Sequence, residues 1–191
     1  KIWPEFVIRI QPIRKPRRKL LWLPLLTGQC IFKLPMEHNP TPILRTERLK
    51  LRGLLSSDAD FIHHLRSDES INRFLIRKTH LSIPEAKEWI EKIISDTKNN
   101  LVLYWVIELD KPIGGICLWN FKPEIKEAEL GYMLLPSYHR KGITSEAMEE
   151  ILKYAYDKLS LKRIIAYTRK DNNASRFLLE KNGFEHLPEI Q

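Results

Sequence analysis

The residues of this chain with the most chemical content are His139-Arg140-Lys141-Gly142-Ile143-Thr144. Arg140 and Lys141 supply two positive charges. Gly142 has no Cβ, so the backbone there can approach a ligand closely. The residues that follow, SEAMEEILKYAYDKL, read as a helix, and a helix opening at this point aims unpaired N–H groups and the positive end of its dipole outward. That combination is a cradle for an anion, most naturally a phosphate or pyrophosphate. A single glycine is also compatible with an ordinary strand–helix connection. The spacing is not that of a Walker loop, and the three glycines of the dinucleotide fingerprint are absent.

The elements that must position this turn are legible on both sides. Before it, Glu127, Glu129, Gly131 and Met133 alternate with Ala128, Leu130, Tyr132 and Leu134, which is the period of a strand. Pro136 has no N–H to give and ends that ladder. After it, Ala147, Met148, Ile151, Leu152, Ala155 and Leu159 form a 3.6-residue apolar stripe.

A chain of 191 residues is expected to hold one domain. Its net charge of +8 is unevenly placed, because residues 1–35 hold eight basic residues and one acidic residue. The remainder is nearly neutral, which argues against nucleic acid as a partner of the domain. Residues 1–35 carry five prolines, a basic run at residues 14–19 and a short apolar patch at residues 20–26. They are expected to be an extension outside the domain, with residues 36–191 as the domain itself. Pro24 interrupts the patch, which makes it a poor secretory signal. Cys30 and Cys117 make no disulfide framework, and Cys117 reads as a small core residue. No stretch is long and apolar enough to cross a bilayer, so a cytoplasmic protein with no membrane partner is the expectation.

In chain order, residues 46–54 read as a strand and residues 57–65 as a short capped helix. A second helical piece follows at residues 68–75. Ser82-Ile83-Pro84-Glu85 is a capping box ahead of a helix that buries Ala86, Trp89, Ile90, Ile93 and Ile94. Residues 101–109 and 113–121 form a hairpin, followed by the central strand, the cradle and its helix. Residues 163–168 read as another strand. Asn172 caps a last helix that Gly183 ends, and Phe184 begins a further strand. This order predicts an α/β (α+β) fold with one mixed, mainly antiparallel sheet flanked by helices.

Four pieces in this order, TERLKLR, ELGYMLLPSYHRKGITSEA, NNAS and LLEKNGFE, resemble the GNAT superfamily of N-acetyltransferases. Within it, the resemblance is to the RimJ/RimL branch and covers about residues 43–186. It implies a sheet whose middle strands splay apart to admit the pantetheine arm of acetyl-CoA. It further implies that the arm pairs with backbone at Met133, Leu134 and Leu135, and that the pyrophosphate lies on amides of Arg140, Lys141, Gly142, Ile143 and Thr144, with His139, the first position of the turn, also among the coenzyme-binding residues. Asn172 would hydrogen-bond the arm from the other side. The chain departs from the family's turn at His139, at Thr144 and at Arg140, where relatives often have glycine. Relatives also continue past the position of Phe184 with a further strand pair. The C-terminal strand is therefore expected to be incomplete, leaving the edge of residues 163–168 bare.

The activity implied is direct acetyl transfer in a ternary complex to a primary amine: a protein N-terminus, an amino acid or another small amine. An α-amine is roughly a tenth neutral at pH 7, so it asks little of a base. Glu129 is the candidate base and Glu127 the second, the alternative being that both face solvent. Ser175 is the candidate proton donor to the departing sulfur, because the tyrosine many members use would fall at Leu179. The six histidines make no metal set. Trp89, Trp105 and Trp119 read as core residues, with Trp105 or Trp119 also able to line an acceptor groove. The competing reading is a non-catalytic acyl-CoA-binding relative. Acceptor identity, general base and the choice between monomer and homodimer stay open at this level.

Overall fold

The computed structural model describes residues 7–10, 41–75 and 82–186. The elements in order are β1 (Val7–Ile10), β2 (Leu44–Arg45), β3 (Lys50–Gly53), α1 (Ala59–Ser67), α2 (Glu69–Asn72), α3 (Ile83–Lys98), β4 (Val102–Glu108), β5 (Pro112–Lys122), β6 (Glu127–Leu134), α4 (Ile143–Asp157), β7 (Arg163–Tyr167), α5 (Asn173–Lys181) and β8 (Phe184–His186). They build one sheet in the order β2-β3-β4-β5-β6-β7-β1-β8. Every pairing is antiparallel except β6 with β7. The mixed, mainly antiparallel sheet expected from the sequence is present.

Local chemistry sets the elements. Ser82 N–H donates to Glu85 Oε2 at 2.7 Å while Glu85 N–H donates to Ser82 Oγ at 3.4 Å, so the capping box closes both ways. Asp68 caps α2 by accepting the Ile71 N–H at 3.1 Å. Asp58 stands at the N-cap of α1 but makes no side-chain cap bond there, although the sequence reads as a capped helix from residue 57. Its carboxylate instead takes two bonds of 2.8 Å from Arg52.

Period-two alternation in β4 divides the core. Val102, Tyr104 and Val106 pack under α1 and α3 with Ile62, Ala86 and Ile90. Leu103, Trp105 and Ile107 face the other way, toward Met148, Ile151 and Ala155 of α4. Trp105 is fully buried and its Nε1–H donates to the Pro42 carbonyl at 2.9 Å, so it is a core residue and not part of a groove.

Residues 7–10, expected to lie outside the domain, take a place in the sheet between β7 and β8. The β7 edge, expected bare, is thereby paired, with Val7 opposite Tyr167 and Arg9 opposite Ile165. Residues 11–40, including the basic run, the apolar patch and Cys30, lie outside the described residues, as do residues 76–81 and 187–191.

Candidate active site

The site begins where β6 and β7 separate. Their parallel register runs from Glu127↔Arg163 through Leu130↔Ala166 and stops there. On its other side β6 keeps its partner, with Met133 opposite Gly115 and Leu134 opposite Gly114. β6 thus runs four residues past its last rung with β7. A cavity of about 940 Å³ occupies this region, and Glu129, Tyr132 and Met133 contribute to its wall.

Beyond the parting lies the turn. Gly142 is the N-cap of α4 at φ 74°, the left-handed region that suits glycine. Arg140 occupies the same region at φ 59°, a strained place for a side-chain-bearing residue. Ile143 sends its side chain into the core, and half-buried Thr144 follows it in the first turn. Their N–H groups belong to the first turn of α4, where no intrahelical acceptor exists. Lys141 Nζ lies over the Tyr138 ring, 5.4 Å from its centre. His139 turns back into the protein, its Nε2 2.8 Å from the Leu134 carbonyl. Leu135 is also engaged, donating its N–H to the Ile113 carbonyl at 2.9 Å and accepting from Tyr138 N–H.

A residue that sequence reasoning missed fixes this turn from 93 positions away. Arg48 Nη1 donates to the Lys141 carbonyl at 3.1 Å, and Arg48 Nε donates to Glu146 Oε2 at 2.6 Å. The Arg48 N–H and the Thr46 hydroxyl both donate to Glu146 Oε1. Burial pushes the Glu146 carboxyl up, but Thr46 and Arg48 outweigh it and hold the pKa below the ordinary range.

The two glutamates differ. Glu127 is 2% exposed and bonded to Lys122 at 2.7 Å and to Arg163 at 3.1 Å. Burial raises its pKa, but the two cations together lower it by more, so the net shift is downward and it stays ionised. Glu129 is 7% exposed, accepts from Asn120 Nδ2, and lines the cavity. Burial is the main cause of its raised pKa, with Glu127 adding to it. Neither faces solvent, which overturns that alternative, and only Glu129 of the two combines cavity access with a raised pKa.

Ser175 and Asn172 meet at the start of α5. Asn172 Oδ1 accepts the Ser175 N–H at 3.1 Å, while Ser175 Oγ lies 2.7 Å from Tyr132 Oη. Burial pushes the Tyr132 phenol up to about 12, so it is protonated at neutral pH. Leu179, where a tyrosine had been sought, is fully buried in the core. Tyr132 was visible in the strand pattern as a polar-tipped residue on an otherwise apolar face. That was the available signal.

Trp119, 41% exposed, lines the cavity, and so does Trp89, which the sequence had assigned to the core. Half-buried Cys117 lines it as well, its thiol pushed up to about 12 chiefly by burial, and so it is no nucleophile. No cluster of metal-ligating side chains occurs among the described residues.

A mixed sheet that parts between parallel strands, with a glycine-capped helix at the mouth, defines the GNAT class of transferase fold. Residues 48–185 match the acetyltransferase (GNAT) domain family, and the chain belongs to that family of N-acetyltransferases. It is 32% identical over 147 residues to the uncharacterised N-acetyltransferase YoaA of Bacillus subtilis (strain 168), covering 75% of this chain and 83% of YoaA. Among solved structures it resembles the spermidine N-acetyltransferase of Vibrio cholerae in complex with CoA and spermine, at 24% identity and TM-score 0.68, over 76% of this chain and 85% of that one. It also resembles RimL, the ribosomal L7/L12 alpha-N-protein acetyltransferase, in complex with coenzyme A, at 20% identity and TM-score 0.69, over 74% and 82%. At these identities the two structures speak for the fold, and RimL's place among them agrees with the RimJ/RimL-like branch.

Proposed function

We propose that the protein moves an acetyl group from acetyl-CoA to a primary amine by direct transfer in a ternary complex. The observation that carries this is the parting of β6 and β7 after Leu130, with Glu129 and Tyr132 both in the wall of the cavity. The site fits the coenzyme on its own terms. The parted strands leave room for an extended arm, and the α4 N-terminus offers first-turn N–H groups where Gly142 presents no Cβ.

Acetyl-CoA supplies the acetyl thioester. Met133 and Leu134 line the arm's path, residues 140–144 hold the pyrophosphate, and Asn172 faces the arm from α5. Glu129 takes a proton from the amine, through water, and its raised pKa suits a base working near neutrality. The Tyr132–Ser175 pair holds the proton that the departing sulfur needs, with Tyr132 at the cavity end and Ser175 positioning it. Much of the rate comes from holding amine and thioester in line.

The test is thiol release from acetyl-CoA against a panel of peptides and small amines. Release with any acceptor supports the reading. Coenzyme binding without release from any acceptor overturns it in favour of a non-catalytic binder.

A further inference from the structure

Arg66 is the feature of the cavity that the reaction does not use. It stands in the last turn of α1, and its guanidinium carbon lies 4.4 Å from the centre of the Trp89 ring. Trp89 in turn meets Tyr104 edge-on, with centroids 5.4 Å apart. The Arg66 Nε is buried without a hydrogen-bond partner. No ion pair joins Arg66 to a carboxylate among the described residues. The carboxylates of the cavity wall are otherwise engaged: Asp96 with Lys92 at 2.6 Å, Asp171 with Arg169 at 3.0 Å, Glu129 with Asn120.

A guanidinium half withdrawn from water, with its Nε buried and no anion beside it, is costly, and burial lowers its pKa accordingly. Stacking on Trp89 offsets part of that cost and orients the planar fork, but it satisfies none of the five N–H donors. An uncompensated planar cation in the wall of a substrate cavity is complementary to a planar anion, the carboxylate being the bidentate match.

Arg66 is joined to the sheet through Trp89 and Tyr104, and the strand register relates Tyr104 to Glu129. Tyr104, Cys117 and Gly131 form one cross-strand row, and Val102, Trp119 and Glu129 form the next row of the same face. With strands about 4.8 Å apart and about 3.3 Å per residue, the Tyr104 and Glu129 Cα atoms stand roughly 12 Å apart. The two ends of the cavity therefore suit opposite charges at a distance.

We propose that the acceptor is an amine that also carries a carboxylate several bonds away, held by Arg66 while the amine faces Glu129. This rests on the acetyl-transfer reading above and narrows its substrate class to zwitterions. Polyamines, which present only cations, are disfavoured by the same residue.

The experiment compares ω-amino carboxylates of increasing length, and short peptides bearing an acidic side chain, each with its matched primary amide. Thiol release is measured with the wild type, Arg66→Gln and Arg66→Lys. The expected result is a preference for the acid over its amide of about tenfold or more, expressed in KM. Arg66→Gln should bring that ratio to about one, and Arg66→Lys should keep part of it. Equal use of acids and amides by the wild type overturns the proposal, as does a preference that survives in Arg66→Gln. Calorimetric binding of the same pairs to the coenzyme-loaded protein gives a readout independent of turnover. Selective binding of acids without thiol release upholds the Arg66 site and sinks the transfer reaction. Binding of neither form sinks the site.

Discussion

Tyr132 Oη and Ser175 Oγ lie 2.7 Å apart and join β6 to α5 across 43 positions of sequence. The relationship gives the two hydroxyls different ranks, since Tyr132 lines the cavity and Ser175 stands behind it with its N–H on Asn172. Tyr132→Phe is expected to lower kcat by roughly 10²-fold, the lower end of what a positioned proton donor contributes. Ser175→Ala is expected to cost about tenfold or less, because the phenol remains. Steady-state kinetics of the two variants check the ranking, and a larger loss in Ser175→Ala would reverse it.

Glu129 carries a prediction of opposite signs for activity and stability. Its carboxyl is raised above the ordinary range by burial and by Glu127. A raised folded pKa means that the folded state binds the proton more tightly than the unfolded chain. Stability is therefore lost as pH rises through that window. Glu129→Gln should be at least about tenfold slower and lose the acidic limb of the kcat/KM profile. Thermal unfolding should show the same variant more stable than the wild type at pH 8 and level with it at low pH.

Arg52 ties β3 to the turn before α1 and to β4. It donates to Asp58 twice at 2.8 Å and to Glu108 at 2.6 Å, and the side chains of Arg52, Asp58 and Glu108 are 12%, 5% and 18% exposed. Arg52→Met leaves the buried Asp58 carboxylate without its cation and Glu108 with Lys50 alone, at 3.1 Å, and is expected to destabilise by about 3 kcal/mol in denaturant unfolding. Burial raises the Glu108 pKa, but Arg52 and Lys50 more than offset it, leaving the net shift downward. The stability from this pairing is present above the unfolded glutamate value and is lost as pH falls through the depressed one. The wild type should therefore lose stability with acid more steeply than Arg52→Met.

The Arg48–Glu146 link predicts a coenzyme-specific effect, because it holds the turn and leaves the chemistry alone. Arg48→Ala releases the Lys141 carbonyl and should weaken coenzyme binding roughly tenfold by calorimetry, with kcat at saturation nearly unchanged. Gly142→Ala acts at the same place by strain, since the position needs φ 74°. It is expected to cost about 1–2 kcal/mol in stability and to weaken coenzyme binding as well.

What the sequence revealed was what local chemistry decides. The capping box at Ser82 and Glu85, the stop at Pro136, the glycine N-cap at Gly142 and the asparagine cap at Asn172 each act within four residues, so spacing alone was enough. The alternation of β6 also named Glu129. The pairs that complete the site are long-range. Arg48 reaches Glu146 across 98 positions and Tyr132 reaches Ser175 across 43, and no periodicity encodes such contacts. Arg66 was invisible for a different reason. An arginine in the last turn of a short helix reads as an exposed residue complementing the dipole, and only packing against Trp89 shows that it is half-buried in a cavity. Val7–Ile10 was hidden by its surroundings, since four extended residues carry too little pattern to stand out between prolines and basic runs.

The four rungs from Glu127 to Leu130 have a mechanical consequence. Among the described residues they are the only ladder stitching the β2–β6 half of the sheet to the β7-β1-β8 half. The seam is open along the rest of β6. A molecule threading that slit would act as a splint, bridging the two halves where main-chain bonds are missing. Heat resistance in this protein should then depend on the concentration of its occupant.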